Sequence, residues 1–176
     1  MSRVEIETLC RALEAAYRGD EHHALLENLR DERDHEWDAR PAEYSVEVFG
    51  GDPQLSVADL MRHVGATKQW WTNHAFGDAS LEWRLAGPPS DDRARIMGWL
   101  DAEHARFADA VAALSSDADL DAEHRTFSGQ TITTREVVDS LIHHDLYHSG
   151  EVNRQRALLR GVSGVLEVFE GSSTPS

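Results

Sequence analysis

The chain has 176 residues, of which 40% are hydrophobic, and these values suit one domain with a single core. Its formal net charge of -15 repels phosphate backbones and anionic lipid, so we expect no nucleic-acid partner and no membrane partner. The chain contains no apolar run long enough for a transmembrane helix, its first ten residues lack the apolar core of a signal peptide, and its one cysteine cannot form an intrachain disulfide. We therefore expect a cytoplasmic protein.

The first 40 residues predict two helical segments. Residues 3–17 place apolar side chains at helical spacing, with Cys10 on the apolar stripe as a buried small hydrophobe. Residues 21–37 predict a second, shorter helical piece that turns Leu25, Leu26 and Leu29 inward. Residues 40–55 are rich in proline and glycine, which indicates a long connection.

The middle of the chain predicts two long helices. Ser56 is a good N-cap for a helix over residues 57–76. A loop with Gly87-Pro88-Pro89 follows, and Ser90 can cap a third helix that extends to about Leu114.

The last third of the chain predicts one more helix. Residues 115–131 are polar and turn-like, with short extended pieces around Phe127. Thr133 and Glu136 then form a plausible capping box for a helix that ends at Gly161. The prediction is an all-α protein, a four-helix bundle with long connections, formed by a single domain over residues 1–170 and followed by a disordered tail over residues 171–176.

The last helix carries an unusual group of histidines. Three of the ten histidines lie within residues 143–148, and His144 and His148 occupy the apolar stripe at i and i+4. Two imidazoles placed in this way can bind one metal ion, although two packed helix histidines with hydrogen-bond partners would give the same pattern. Asp145 stands where a zinc-protease H-E-x-x-H motif needs glutamate, which argues against a metalloprotease.

A third metal ligand has to come from another helix, and His63 is the leading candidate because it borders the apolar stripe of the second long helix. Three neutral imidazoles suit zinc, nickel, copper or iron, and three protein ligands leave positions for substrate. His104 lies on the stripe of the third helix as a core histidine that could approach the site, and His143 points toward solvent or a subunit contact. The remaining candidates for surface positions are His22, His23, His35 and His124.

Two segments, "SVADLMRHVGATKQWW" and "HDLYHSGEVNRQRALLRG", together resemble the DinB/YfiT-like family of metalloenzymes. The early motif contributes His63, and the late motif H-x-x-x-H-x-G-[QE]-[IV] is matched from His144 to Val152. The resemblance implies a four-helix bundle in which His63, His144 and His148 hold a divalent ion, often zinc or nickel, and frequently a homodimer. Some members look like S-transferases or isomerases that depend on a low-molecular-weight thiol. Many relatives carry glutamine where this chain has Glu151.

Three functional hypotheses remain open at this point. They are a metal-dependent transferase that uses a low-molecular-weight thiol, a metal-dependent hydrolase, and a non-catalytic metal- or ligand-binding protein of a stress response. A basic patch near the site would favour an anionic thiol, and four residues could form it: Arg62, Lys68, Arg154 and Arg156.

Several neighbouring residues have two interpretations each. Asp145 either contacts the ligand imidazoles and orients them or is a surface acid. Tyr147 and the Trp70-Trp71 pair line a pocket or pack in the core. A glycine inside a long helix needs a reason, so Gly150 either allows a neighbouring helix to approach or lies on the surface.

Overall fold

The computed structural model describes residues 2–19, 23–30, 33–40, 55–126 and 128–161. Four long α-helices dominate: α1 (Val4–Arg18), α2 (Val57–Phe76), α3 (Arg93–Ala112) and α4 (Thr134–Arg160). Two three-residue strands, β1 (Glu123–Arg125) and β2 (Thr131–Thr133), form an antiparallel hairpin before α4. The predicted all-α class is confirmed, and the short extended pieces are this hairpin, although Phe127 itself lies outside the described residues.

The four helices form a bundle in which each helix packs on two others. Helices α1 and α2 both pack against α3 and against α4. Two apolar clusters fill the interior, one around Leu60, Val64 and Leu100 and the other around Leu13, Phe107 and Leu141. Cys10 packs against the second cluster but is only half-buried, so its predicted burial is partial. The predicted tail lies outside the described residues.

Three of the four predicted helix boundary signals are confirmed, and one is wrong. The Ser56 hydroxyl accepts a hydrogen bond from the Asp59 amide, Thr133 and Glu136 form a capping box, and Gly161 ends α4 with a left-handed φ of 68°. The N-cap of α3 is Asp92, whose side chain accepts from the Arg95 amide. Ser90 does not cap the helix, because its hydroxyl accepts from the amide of Asp92, which is itself the N-cap residue, and not from an amide inside the first helical turn.

The predicted second helical piece is present only as short 3₁₀ turns. Two 3₁₀ turns occupy this part, Glu27–Leu29 and Asp34–Glu36, while residues 20–22 and 31–32 lie outside the described residues. Backbone hydrogen bonds tie this segment to the end of α1, since the Leu25 amide donates to the Ala16 carbonyl. A second bond, from the Leu26 amide to the Tyr17 carbonyl, also holds the segment beside the last turn of α1. Leu25 and Leu29 are buried as predicted, and the residues of the long connection over 41–54 lie outside the described residues.

Glycines at two helix positions have opposite surroundings. A Cβ atom at Gly65 would lie 2.3 Å from Cζ3 of Trp99, so this glycine is what allows α2 and α3 to approach closely. A Cβ atom at Gly150 would meet no atom within 4 Å, and the residue is exposed. The surface interpretation of Gly150 therefore holds, and the close approach belongs to Gly65.

Among the described residues, none of the helices combines the length and the apolar character that crossing a membrane requires.

Candidate metal centre

The structure brings His63, His144 and His148 together. Helix α2 supplies His63, and α4 supplies the other two from adjacent turns. The Nε2 atom of His144 lies 3.0 Å from Nε2 of His63 and 3.1 Å from Nε2 of His148. One ligand atom from each of the three residues lies within 4.8 Å of the other two. His148 is buried, whereas His63 and His144 are half-buried, so the cluster reaches solvent on one side.

These separations match those of nitrogens that share one transition-metal ion. At a metal–nitrogen distance of about 2.05 Å, two ligand nitrogens lie about 2.9 Å apart at a right angle and about 3.3 Å apart at a tetrahedral angle. The observed 3.0 and 3.1 Å fall between these two values. Nε2 of His144 can therefore share one ion with Nε2 of His63 and with Nε2 of His148, and the ligand atoms of all three residues lie within 4.8 Å of one another.

The proton positions that are possible on the three imidazoles fit a bound cation better than a network of hydrogen bonds between the rings. Nδ1 of His148 lies 2.6 Å from Oε2 of Glu151, so in neutral His148 this nitrogen carries the proton and Nε2 presents a lone pair. One N–H group cannot align with both of the contacts at Nε2 of His144. A cation between the three nitrogens would be bound by all three lone pairs.

Burial keeps two of these imidazoles neutral. Burial, with the nearby His148, lowers the pKa of His63 to about 4. Burial together with His148, His63 and Lys68 lowers the pKa of His144 to about 2. At neutral pH both side chains therefore offer lone pairs rather than positive charges to an incoming metal ion.

A buried ion pair locks the two ligand-bearing helices together. Nζ of Lys68 on α2 lies 2.7 Å from Oδ2 of Asp145 on α4, and both side chains are 0% exposed. Burial lowers the pKa of Lys68 and raises the pKa of Asp145, while the attraction between the two groups opposes both shifts. Asp145 is thus neither a surface acid nor a hydrogen-bond partner of a ligand imidazole, because it is buried and its hydrogen bond among the described residues is with Lys68.

A second buried polar cluster holds the end of α4. Glu36 accepts hydrogen bonds from Arg156 at 3.2 Å and from Arg160 at 2.5 Å, and the guanidinium of Arg156 also donates to the backbone carbonyl of Asn28. Asn153 donates to the Asn28 side chain at 2.6 Å. Local sequence patterns do not indicate this cluster, because Glu36 follows a run of charged residues that is typical of a solvated segment. Its contacts fix the half of α4 that follows His148.

Most of the other histidines occupy the positions predicted for them. His104 is buried, stacks on Tyr17 with ring centroids 3.8 Å apart and contacts Glu14, so it is a core histidine and not a fourth member of the cluster. His143 is exposed beside Asp139. His23 and His35 are exposed, His22 lies outside the described residues, and His124 is half-buried against the Thr134 hydroxyl, which differs from the surface position expected.

Aromatic side chains surround the cluster unevenly. Trp70 and Trp71 are buried in the core, so the packing interpretation holds for them. Tyr147 is exposed, and its ring centroid lies 5.1 Å from that of His148. Trp83, which the sequence analysis did not single out, lies 6.0 Å from His63 between ring centroids. The loop between α2 and α3 places Trp83 there, and its spacing in sequence contains no signal of that contact.

One family model matches most of this chain. The family model described as the DinB superfamily matches residues 14–152, which is well over half of the chain and includes all three clustered histidines. No curated protein and no solved structure gives a significant match. The match agrees with the helical bundle and with the histidines that its two packed helices bring together. The chain belongs to the DinB superfamily.

Proposed function

We propose that His63, His144 and His148 bind a divalent transition metal, zinc or nickel, and that the protein is a metal-dependent transferase that uses a low-molecular-weight thiol. The observation that carries the proposal is the convergence of three imidazoles: their ligand atoms all lie within 4.8 Å of one another, and Nε2 of His144 lies 3.0 and 3.1 Å from the Nε2 atoms of His63 and His148. Their half-buried side leaves room for further ligands, which is typical of catalytic and not of structural metal sites.

Each protein group has a defined part in this proposal. The three imidazoles hold the ion, and Glu151 fixes the tautomer of His148 by accepting its Nδ1 proton in a 2.6 Å hydrogen bond. The Lys68–Asp145 pair keeps α2 and α4 in register, so that His63 stays opposite His144. A divalent ion held there would lower the pKa of a thiol or of a water molecule and would polarise an electrophile.

The transfer itself needs no oxidant or reductant. The thiol loses its proton to solvent, its sulfur forms a bond to an electrophilic carbon, and the bond from that carbon to the leaving group breaks, so that the leaving group departs with the electron pair. The protein positions the two reactants beside each other and excludes solvent from the His148 side.

One observation favours hydrolysis as a second candidate function. Of the four basic residues that could recognise an anionic thiol, Lys68 and Arg156 are buried in ion pairs with Asp145 and Glu36. Arg62 contacts two carboxylates, Asp59 and Asp91. Three of these four basic residues are thus already paired with carboxylates. Hydrolysis, in which water replaces the thiol, needs no such anchor.

The metal is tested first, by elemental mass spectrometry on protein purified without a histidine tag and incubated with zinc or nickel. We expect about one metal ion per chain in the parent and loss of the ion in His63→Ala and in His148→Ala. His143→Ala is the matched control, because His143 lies on the same helix but is exposed beside Asp139. If the parent binds no metal, or if all three variants lose it equally, the proposed site is wrong.

The reaction is tested next, on zinc- and nickel-loaded protein. Transfer is followed with 2-mercaptoethanol and 1-chloro-2,4-dinitrobenzene, for which chloride is the leaving group, and hydrolysis with 4-nitrophenyl acetate. Thiol-dependent product formation that disappears in His148→Ala supports the transferase. Ester cleavage without thiol, equally sensitive to His148→Ala, supports the hydrolase. If neither occurs while metal is bound, the remaining hypothesis is a non-catalytic metal- or ligand-binding protein.

We also propose that the protein is a homodimer, on the resemblance alone. Light scattering, which measures the molar mass in solution, tests this proposal.

A further inference from the structure

Two exposed aromatic side chains flank the three histidines. Trp83 is 46% exposed and Tyr147 is 62% exposed, whereas the other four tryptophans of the chain are at most 9% exposed. The ring of Trp83 lies at the α2 side of the cluster, 6.0 Å from His63 and inclined at 71° to it. The ring of Tyr147 lies at the α4 side, 5.1 Å from His148 and inclined at 79°. Both ligand-bearing helices thus have an aromatic ring beside the site.

The loop fixes Trp83 in this position. The turn Trp83–Leu85 closes with a backbone hydrogen bond from the Leu85 amide to the Glu82 carbonyl. Before the turn, the Leu81 amide donates to the Asn73 side chain at 2.8 Å. After it, the Gly87 amide donates to the Gln69 side chain at 3.0 Å. Asn73 and Gln69 lie on α2, the helix that carries His63, so the loop is fastened to that helix on both sides of Trp83.

This arrangement needs an explanation because a large aromatic ring held in water gives up the burial that stabilises its kind elsewhere in the fold. Because the backbone that carries Trp83 is already held to α2, the loop has little conformational freedom left to lose when a ligand packs on the ring. The charge of the site decides which ligand fits. A cation would be attracted to two aromatic faces but repelled by a divalent ion on the neighbouring imidazoles. A neutral planar group has no such conflict.

We propose that Trp83 and Tyr147 are the specificity-determining walls of the substrate site, and that they select a substrate with a neutral aromatic or planar unsaturated group next to its reacting atom. This proposal rests on the proposed function, since it places the reacting atom at the metal that the three histidines would hold. Trp83 and Tyr147 contact the planar group, and neither is required for metal binding. Ring stacking of this kind improves affinity about 2-fold to 10-fold per ring.

The test compares two probes that chelate zinc through the same hydroxamate and differ only in their substituent, benzohydroxamic acid and acetohydroxamic acid. Their dissociation constants are measured on zinc-loaded protein by calorimetry. We expect the parent to bind the phenyl probe at least 10-fold more tightly than the methyl probe. Trp83→Ala and Tyr147→Ala should each lower this ratio about 2-fold to 10-fold while zinc content and acetohydroxamate affinity stay unchanged. Trp83→Phe should keep most of the ratio.

Leu85→Ala is the matched control, because Leu85 is exposed on the same turn as Trp83 but carries no aromatic ring. It should leave the ratio unchanged. If acetohydroxamate binds but the parent shows no preference for the phenyl probe, or if both aromatic variants keep that preference, the aromatic walls are refuted while the metal site stands. If neither probe binds because zinc is absent, the metal site and this proposal fall together.

Discussion

The buried Lys68–Asp145 pair gives the sharpest stability prediction. Lys68→Met removes the ammonium group while keeping a long apolar chain, and it leaves the Asp145 carboxylate in a place that is 0% exposed. The Oδ1 atom of Asp145 has no hydrogen-bond partner among the described residues, and removing Lys68 takes away the hydrogen bond to Oδ2 as well.

The expected cost follows from this burial. Removing one partner of a buried ion pair destabilises a protein by about 3–5 kcal/mol, because the other charge stays desolvated. That is a large part of the total free energy of unfolding, which is about 5–15 kcal/mol for a domain. The double variant Lys68→Met/Asp145→Leu leaves no unpaired charge, so we expect it to recover most of the lost stability.

Urea unfolding followed by circular dichroism measures these differences. The control is Arg84→Met, which breaks the Arg84–Glu82 pair; that pair has a similar distance of 2.6 Å, but its side chains are 76% and 60% exposed. We expect the control to leave the unfolding midpoint unchanged. If Lys68→Met is no more destabilising than Arg84→Met, or if the double variant is less stable than Lys68→Met alone, the argument from uncompensated burial is refuted.

Three further predictions concern the site, the glycines and pH. Glu151→Ala should weaken zinc affinity about 10-fold to 100-fold in a competition titration, because His148 loses the acceptor that fixes its tautomer. Glu151→Gln should retain most of the parent's zinc affinity. Equal zinc affinities in the parent and both variants would contradict that role. In urea unfolding, Gly65→Ala should cost about 1–3 kcal/mol because its Cβ would lie 2.3 Å from Trp99, while Gly150→Ala should stabilise α4 by about 0.5–1 kcal/mol; effects of the same sign would refute this. Burial lowers the pKa of His104 from 6.5 to about 3, so as pH falls below 6.5 the unfolded state binds a proton that the folded state does not, and stability declines down to about pH 3. His104→Phe should therefore show a shallower decline of the melting temperature between pH 6.5 and 4.5 than the parent, and parallel curves would contradict it.

Local patterns determined much of the architecture. Apolar side chains at helical spacing predicted all four long helices. Ser56 predicted the start of α2, and Thr133 with Glu136 and Gly161 predicted both ends of α4, because caps and periodicity are short-range properties of the backbone. The same periodicity placed His144 and His148 on one side of α4, one turn apart. These parts of the fold needed no knowledge of which helices are neighbours.

Only the tertiary structure decided what depends on contacts between distant segments. Lys68 and Asp145 are charged residues that local patterning assigns to a surface or to a ligand shell, yet packing of α2 on α4 buries them against each other. Gly65, and not Gly150, proved to be the glycine at a close approach, because only the crossing of α2 with α3 brings Trp99 there. The 3 Å separations between the Nε2 atoms and the position of Trp83 beside His63 likewise come from residues far apart in the chain. Helical spacing specifies which side a residue faces, and the packing of whole helices specifies what it meets.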